Sequence, residues 1–210
     1  MAEVLSVNVG LPRTVEWHGR QVQTGIWKVP VAGRVAVRGV NLDGDGQADR
    51  RVHGGPDKAV YAYASEDYGW WADELGAPVA TATFGENLTV RGLALDDLVI
   101  GSRWRVGTVV LQVTQPRLPC FKLGIRMGDA AFVDRFDDAR RYGAYFRIVE
   151  EGDLGAGDQF DALPSRPEGI TVGELGRSTH GASHEFLVRV RDDPDVPEGW
   201  HTWAERALAR

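Results

Sequence analysis

Glycine punctuates this chain more than any other feature does, filling 26 of its 210 positions. Glycine enters left-handed backbone conformations at no steric cost and so marks tight turns. Between the glycines lie short runs rich in Val, Ile, Thr and aromatic residues. That pattern predicts a mainly β body carrying helices, an α+β fold. Strands are expected at Val4–Val9, Arg34–Val40, Val60–Tyr63 and Ala144–Val149, with Val99–Gly107 and Thr108–Thr114 paired through Gly107. Thr14–Trp17 and Gln21–Thr24 flank His18-Gly19 as a hairpin with a connection longer than two residues.

Helix signals are fewer. Ser65 is placed to cap a helix with acids in its first turn; Tyr68, Trp71, Ala72 and Leu75 follow at helical spacing and Gly76 ends it. A second helix is expected from Asp129, as its cap, to Arg140, with Phe132, Val133, Phe136 and Ala139 on one face. The clearest linker is 164–169, so the chain divides into a β domain at 1–163 and an extension at 170–210. In that extension Thr171–Leu175, Ser183–Val190 and Gly199–Leu208 predict a three-helix bundle.

The formal charge is −6, from 24 basic against 30 acidic residues. That balance argues against a nucleic-acid backbone binder, which needs a cationic face, but leaves room for a local anion pocket. One cysteine allows no internal disulfide and points to a reducing compartment. No apolar run approaches the ~20 residues needed to span a bilayer, and the first residues have no cationic, apolar leader pattern. The expectation is a cytoplasmic protein with no membrane partner.

The lone cysteine sits in the most unusual segment, Gln115-Pro116-Arg117-Leu118-Pro119-Cys120-Phe121-Lys122-Leu123. It follows a strong strand, and the two prolines stiffen the turn that presents it at a rim. Flanking cations favour the thiolate, the form of cysteine that attacks or ligates, and Arg117 and Lys122 stand close in sequence. A free cysteine is as often a small buried apolar residue, and this segment alone leaves both readings open. Asn41–Asp49 invites comparison with a calcium loop, but counting from Asp43 puts Ala48 at the bend and Gly54 at the bidentate position, so it reads as a turn-rich loop. His180 and His184 stand four apart without an obvious third ligand. His53-Gly-Gly-Pro-Asp-Lys58-Ala-Val60 reads first as a surface turn leading into the strand at Val60, and alternatively as paired glycines that let backbone approach a ligand with a lysine able to neutralise it. In Phe84-Gly-Glu86-Asn87-Leu-Thr89 the polar pair sits where the chain turns inward.

Taken in order, those three motifs, with a closing Gly155-Ala-Gly-Asp158, resemble the MOSC domain, named for the C-terminal part of molybdenum-cofactor sulfurase, in its bacterial stand-alone, YiiM-like branch. The resemblance covers residues 1–163, and the helical tail fits that branch's three-helix extension. It implies a β-barrel-like core in which the single cysteine holds molybdenum or handles sulfur. It further implies reduction of N-hydroxylated compounds, of hydroxylaminopurine or amidoxime type, with a molybdopterin cofactor. By position Cys120 is the implied metal ligand and catalytic residue, a soft thiolate suited to such a centre. Arg117, Lys122, His53 and Lys58 are candidates for the cofactor's phosphate and ring, Glu86 and Asn87 for hydrogen bonds, and Lys28 and Arg34 for further contacts. Cys120 follows a proline where longer relatives have an Arg-Cys pair, so their contacts do not transfer one for one. One cysteine cannot ligate an iron–sulfur cluster and no dinucleotide fingerprint is present, so a reductase of this kind needs a separate electron-transfer protein. The alternative is a carrier that hands persulfide sulfur or the cofactor to another enzyme.

Overall fold

The computed structural model describes residues 1–48, 54–166 and 168–210. The chain opens with β1 (Glu3–Val9), the hairpin β2 (Arg13–Trp17) and β3 (Arg20–Thr24), then β4 (Val29–Val31), β5 (Arg34–Arg38) and β6 (Asn41–Leu42). Strand β7 (Val60–Ala64) runs straight into α1 (Ser65–Leu75), and β8 (Leu88–Arg91) follows. Next come β9 (Arg103–Val106), β10 (Val109–Pro116), α2 (Phe121–Met127) and α3 (Phe132–Ala139). β11 (Ala144–Glu150), β12 (Gly152–Gly155) and β13 (Phe160–Ala162) complete the strands, and α4 (Val172–Arg177), α5 (His184–Asp192) and α6 (Glu198–Leu208) close the chain.

Eight strands form one mixed sheet in the order β13-β9-β10-β11-β7-β8-β1-β4, and β12-β5-β6 form a second. Among the described residues, only the β7–β8 pair in the large sheet is parallel, and α1 lies in the crossover that parallel neighbours require. The sheet curls but is no continuous barrel ladder. Its seam is stitched by Val4 N–H to the Asp158 carbonyl (2.8 Å), Gly157 N–H to the Val4 carbonyl (2.8 Å) and Phe160 N–H to the Ala2 carbonyl (2.9 Å).

Every residue of β7 is buried, and alternation along the strand divides its side chains between two cores. Val60, Ala62 and Ala64 enter the aliphatic core, while Tyr61 and Tyr63 enter an aromatic one with Trp71, Phe84, Phe132 and Phe136. Trp71 is fully buried and donates its indole N–H to the Tyr63 hydroxyl at 2.7 Å, so its one polar group is matched. Burying a ring of that size supplies about 3 kcal/mol. Val172, Leu175, Leu187, Val190, Trp200 and Ala204 of the C-terminal helices pack in the same aliphatic cluster as the strands.

Several local expectations shift. The hairpin turn is just His18-Gly19, both at positive φ (49° and 74°), the short connection whose twist suits a hairpin. Ala64, not Ser65, caps α1, and the Ser65 hydroxyl turns to Glu66 at 3.2 Å. Helix α3 starts at Phe132 because the Asp129 carboxylate accepts the Ala131 N–H (2.9 Å) and shapes the turn before it. Strand β9 starts at Arg103, the residues from Val99 being spent on a turn.

Candidate functional site

Strand β10 delivers Arg117 to Lys122 to the rim, where β10 gives way to α2. Its last turns are tied down. The Thr114 hydroxyl donates to the Asp57 carbonyl (2.7 Å), the Gln115 amide donates to the same carbonyl (3.3 Å), and Arg147 on β11 clasps the Asp57 carboxylate with Nε at 2.7 Å. These bonds hold the 3-10 turn Pro56–Lys58 beside the cysteine segment, so that Lys58, Arg117 and Cys120 line one cleft of about 110 Å³ with Lys28, Asp45, Asn87, Lys122, Tyr61 and Tyr145. Cys120 is half-buried and has an extended backbone (φ −139°, ψ 170°) immediately before α2.

Among the described residues, four cations line this cleft against one carboxylate, Asp45, in a chain of net charge −6. Lys28 and Asp45 form a buried ion pair, and burial pulls the Lys28 ammonium below its ordinary range while Asp45 opposes the shift. Asp45 also accepts the Gly10 N–H (2.9 Å) and the Asn87 side-chain amide (2.9 Å). Asn87 in turn accepts the Tyr61 N–H at 3.1 Å. This floor therefore joins the segment before β4, the β6–β7 loop and the start of β8.

Arg117 is different. Its side chain is buried, with the guanidinium carbon 5.5 Å from the Tyr61 ring centre and 5.6 Å from that of Phe136. None of the ion pairs among the described residues includes it, and its Nη1 is buried without a hydrogen-bond partner. A buried guanidinium is costly unless paired, and among the described residues no carboxylate pairs with this one. Gly85 (φ 80°) lets the opposite wall approach, since a Cβ there would stand 2.8 Å from the Ile26 side chain.

Seven of the nine residues predicted from the sequence are near this centre or behind it. Cys120, Arg117, Lys122, Lys58, Asn87 and Lys28 line the cleft. Glu86 stands behind it, fully buried. Its Oε1 accepts from the Tyr68 hydroxyl, the Ala82 N–H (2.9 Å) and the Thr89 hydroxyl (3.1 Å), while Oε2 has no partner. Burial raises its carboxyl above the ordinary range. Arg34 is not brought in: it is exposed and paired with Asp153 and Asp158 (3.1 Å) at the β5–β12 corner. The alternation of β5 turns that side chain outward, whereas Val35 and Val37 point to the core. His53 lies outside the described residues. Asp45 was missed, because its acidic loop was tested only as a calcium loop, and nothing local in the sequence shows that Lys28 needs a partner. No group of three or more metal-ligating acids, histidines or cysteines occurs among the described residues. His180 turns instead to Asp137 and the Tyr142 hydroxyl, each at 3.2 Å.

The donor set fits the implied cofactor on the structure's own terms: one soft thiol, a buried guanidinium with its Nη1 unmatched, and three lysines, one of them paired with Asp45, facing a single space. Among the described residues, no helix is long and apolar enough to cross a membrane.

Comparison with known proteins places these residues in a family. The MOSC domain matches residues 49–161. The chain is 40% identical to YflK of Bacillus subtilis over 199 residues, covering 94% of this chain and 90% of that one. It is 30% identical over 149 residues to a protein named "Reductase" from Gibberella moniliformis, covering 69% of this chain and 26% of that longer one. The crystal structure of YiiM from Geobacillus stearothermophilus superposes with a TM-score of 0.82 at 28% identity, covering 99% of this chain and 100% of that one. Lys28 and Asp45 fall before the matched stretch, so part of the cleft floor comes from outside it.

Proposed function

The chain belongs to the MOSC domain family, and from that premise we propose that it is a molybdenum-cofactor-binding oxidoreductase component that reduces N-hydroxylated compounds with electrons from a separate protein. The observation that carries this reading is the buried, carboxylate-free Arg117 in the same cleft as the only cysteine. Such a guanidinium is a receptor for an anionic group. Cys120 provides the thiolate ligand that holds a thiophilic metal. Lys58 and Lys122 add positive charge around the same space, and the Asp45–Asn87 floor presents fixed hydrogen-bonding groups to whatever ring rests on it. When bound, the cofactor supplies two-electron chemistry: an N–OH group takes two electrons and two protons, the N–O bond breaks, and amine and water leave. The protein's share is binding, orientation and charge. The match to a protein named "Reductase" supports reduction over the carrier alternative.

Elemental analysis of wild type and Cys120→Ser, purified from a host able to make the cofactor, tests the reading. Molybdenum is expected near one per wild-type chain and absent from the variant. Equal metal in both would sink the ligation. Metal retention with no consumption of an N-hydroxylated purine, given an artificial electron donor, would favour the carrier.

A further inference from the structure

We propose that Glu86, acting through Lys28, is a proton inlet that feeds the Cys120 cleft from behind its floor; this rests on the reductase reading above. That reading consumes two protons for each N–O bond broken. A cleft of about 110 Å³ has room for little water beside a ligand, so protons need a path other than the mouth.

Glu86 is built to store a proton. It is fully buried, and its two oxygens are used differently. Oε1 accepts from the Tyr68 hydroxyl, the Ala82 N–H and the Thr89 hydroxyl, while Oε2 has no partner among the described residues. An ionised carboxylate would leave charge on a buried oxygen that no donor meets. A neutral carboxyl needs only one acceptor oxygen and carries its proton on the other. The proton therefore belongs on Oε2, in line with the raised titration of this group by burial.

Two cations feel this carboxyl. Lys28 lines the cleft beside Asp45; burial lowers its ammonium, and Asp45 and then Glu86 oppose the shift. Arg126 of α2 does not line the cleft, and its Nε is also buried without a partner. Burial and Arg13 lower that guanidinium, and Glu86 and Tyr68 oppose them. One bridging water satisfies both Oε2 and Nε. Arg126 and Tyr68 are each half-buried, so the carboxyl lies one side chain from solvent. Tyr61 and Tyr63 of β7 also face it, but burial raises their phenols and that of Tyr68, so none of the three gives up a proton near neutrality. In each transfer the Lys28 ammonium releases one proton into the cleft, Glu86 Oε2–H returns one to the Lys28 amine, and solvent beside Arg126 reprotonates the carboxylate. Two passes supply the two protons, and the separate protein supplies the two electrons. An ammonium lowered by burial releases its proton more readily than an exposed one.

The test pairs pH–rate profiles with carboxyl NMR. Molybdenum-loaded wild type and Glu86→Gln are compared with an artificial electron donor in excess and an N-hydroxylated purine. Wild-type kcat should fall as pH rises through the Glu86 titration above 4.5, because only the protonated carboxyl feeds Lys28. Glu86→Gln should lower kcat at least about tenfold, leave KM and molybdenum content unchanged, and remove that fall. Glu86→Asp, which still carries a proton, should recover part of the rate. In cofactor-free protein with isotope-labelled glutamate carboxyls, one resonance should titrate above 4.5 and move further up in Lys28→Gln, which removes a neighbouring positive charge. That readout decides the matter alone if Glu86→Gln does not fold: no such resonance, or one unmoved by Lys28→Gln, would overturn the inlet. So would an unchanged kcat and pH profile in Glu86→Gln, or an activity loss matched by lost molybdenum, which would make the carboxyl structural. Wild type without molybdenum would instead sink the reductase reading, and the inlet with it.

Discussion

Replacing Arg117 by methionine should make the ligand-free protein more stable while abolishing its affinity for anions. The guanidinium is buried, so its desolvation costs several kcal/mol, and the unmatched Nη1 adds about 1–3 kcal/mol. Against this stand the two aromatic contacts at 5.5 and 5.6 Å, each returning about 0.5–1 kcal/mol. Methionine keeps most of the stem's packing and removes the charge, for a net gain of about 2 kcal/mol. In a chain of this size about 1 kcal/mol moves the midpoint by about 2–4 °C, so the thermal midpoint should rise by about 4–8 °C. Differential scanning calorimetry with and without inorganic phosphate reads both effects. Phosphate should raise the wild-type midpoint and leave Arg117→Met unmoved. A variant that melts several degrees below wild type would refute the reasoning, because Arg117 would then be a structural cation held by its aromatic neighbours.

Other substitutions test the groups around it. Asp45→Asn strands the buried Lys28 charge and should cost about 3–5 kcal/mol, whereas Lys28→Met combined with Asp45→Asn should recover much of that loss in urea denaturation; equal losses would show that the pair is not the source. Glu86 titrates above its ordinary value near 4.5 because burial disfavours its charge, and the nearby cations Lys28 and Arg126 do not reverse this. The folded protein thus holds that proton more tightly than the unfolded chain. The stabilisation is full below that value and is lost as pH rises through the window above it. Glu86→Gln keeps the acceptor for all three bonds at Oε1 and removes the titration, so its stability relative to wild type should increase as pH rises above 4.5. A gap that does not change with pH would contradict the shift.

What the sequence disclosed was local. The strand before Cys120, the glycine at position 76 that ends α1, and the three C-terminal helices are each written in a few consecutive residues. So is the turn that aims Asn87 into the cleft. What it concealed depends on pairing across distance. Lys28 and Asp45 look unrelated until β1 and β4 are set beside the β6–β7 loop. Trp200 looks like one face of an amphipathic helix, and its bond to Gln115 needs α6 to dock on β10. Arg34 misled because a cation in an early strand looks like any other, and only the register of β5 shows which way it points. Glu86 and Asn87 are neighbours in sequence, and the reversal of side-chain direction between them put one in the cleft and the other behind it.

The cleft floor also bears on the order of folding. Asn87 meets Asp45 across 42 residues, Arg147 meets Asp57 across 90, and Trp200 meets Gln115 across 85. Contacts so far apart close large loops and therefore form late, after local turns and helices. A newly made chain would expose its thiol well before the cationic walls assemble around it. A fragment beginning at the matched domain would carry the cysteine without Lys28 or Asp45. Only a chain that has completed its sheet therefore presents Cys120, Lys28 and Asp45 to one cleft.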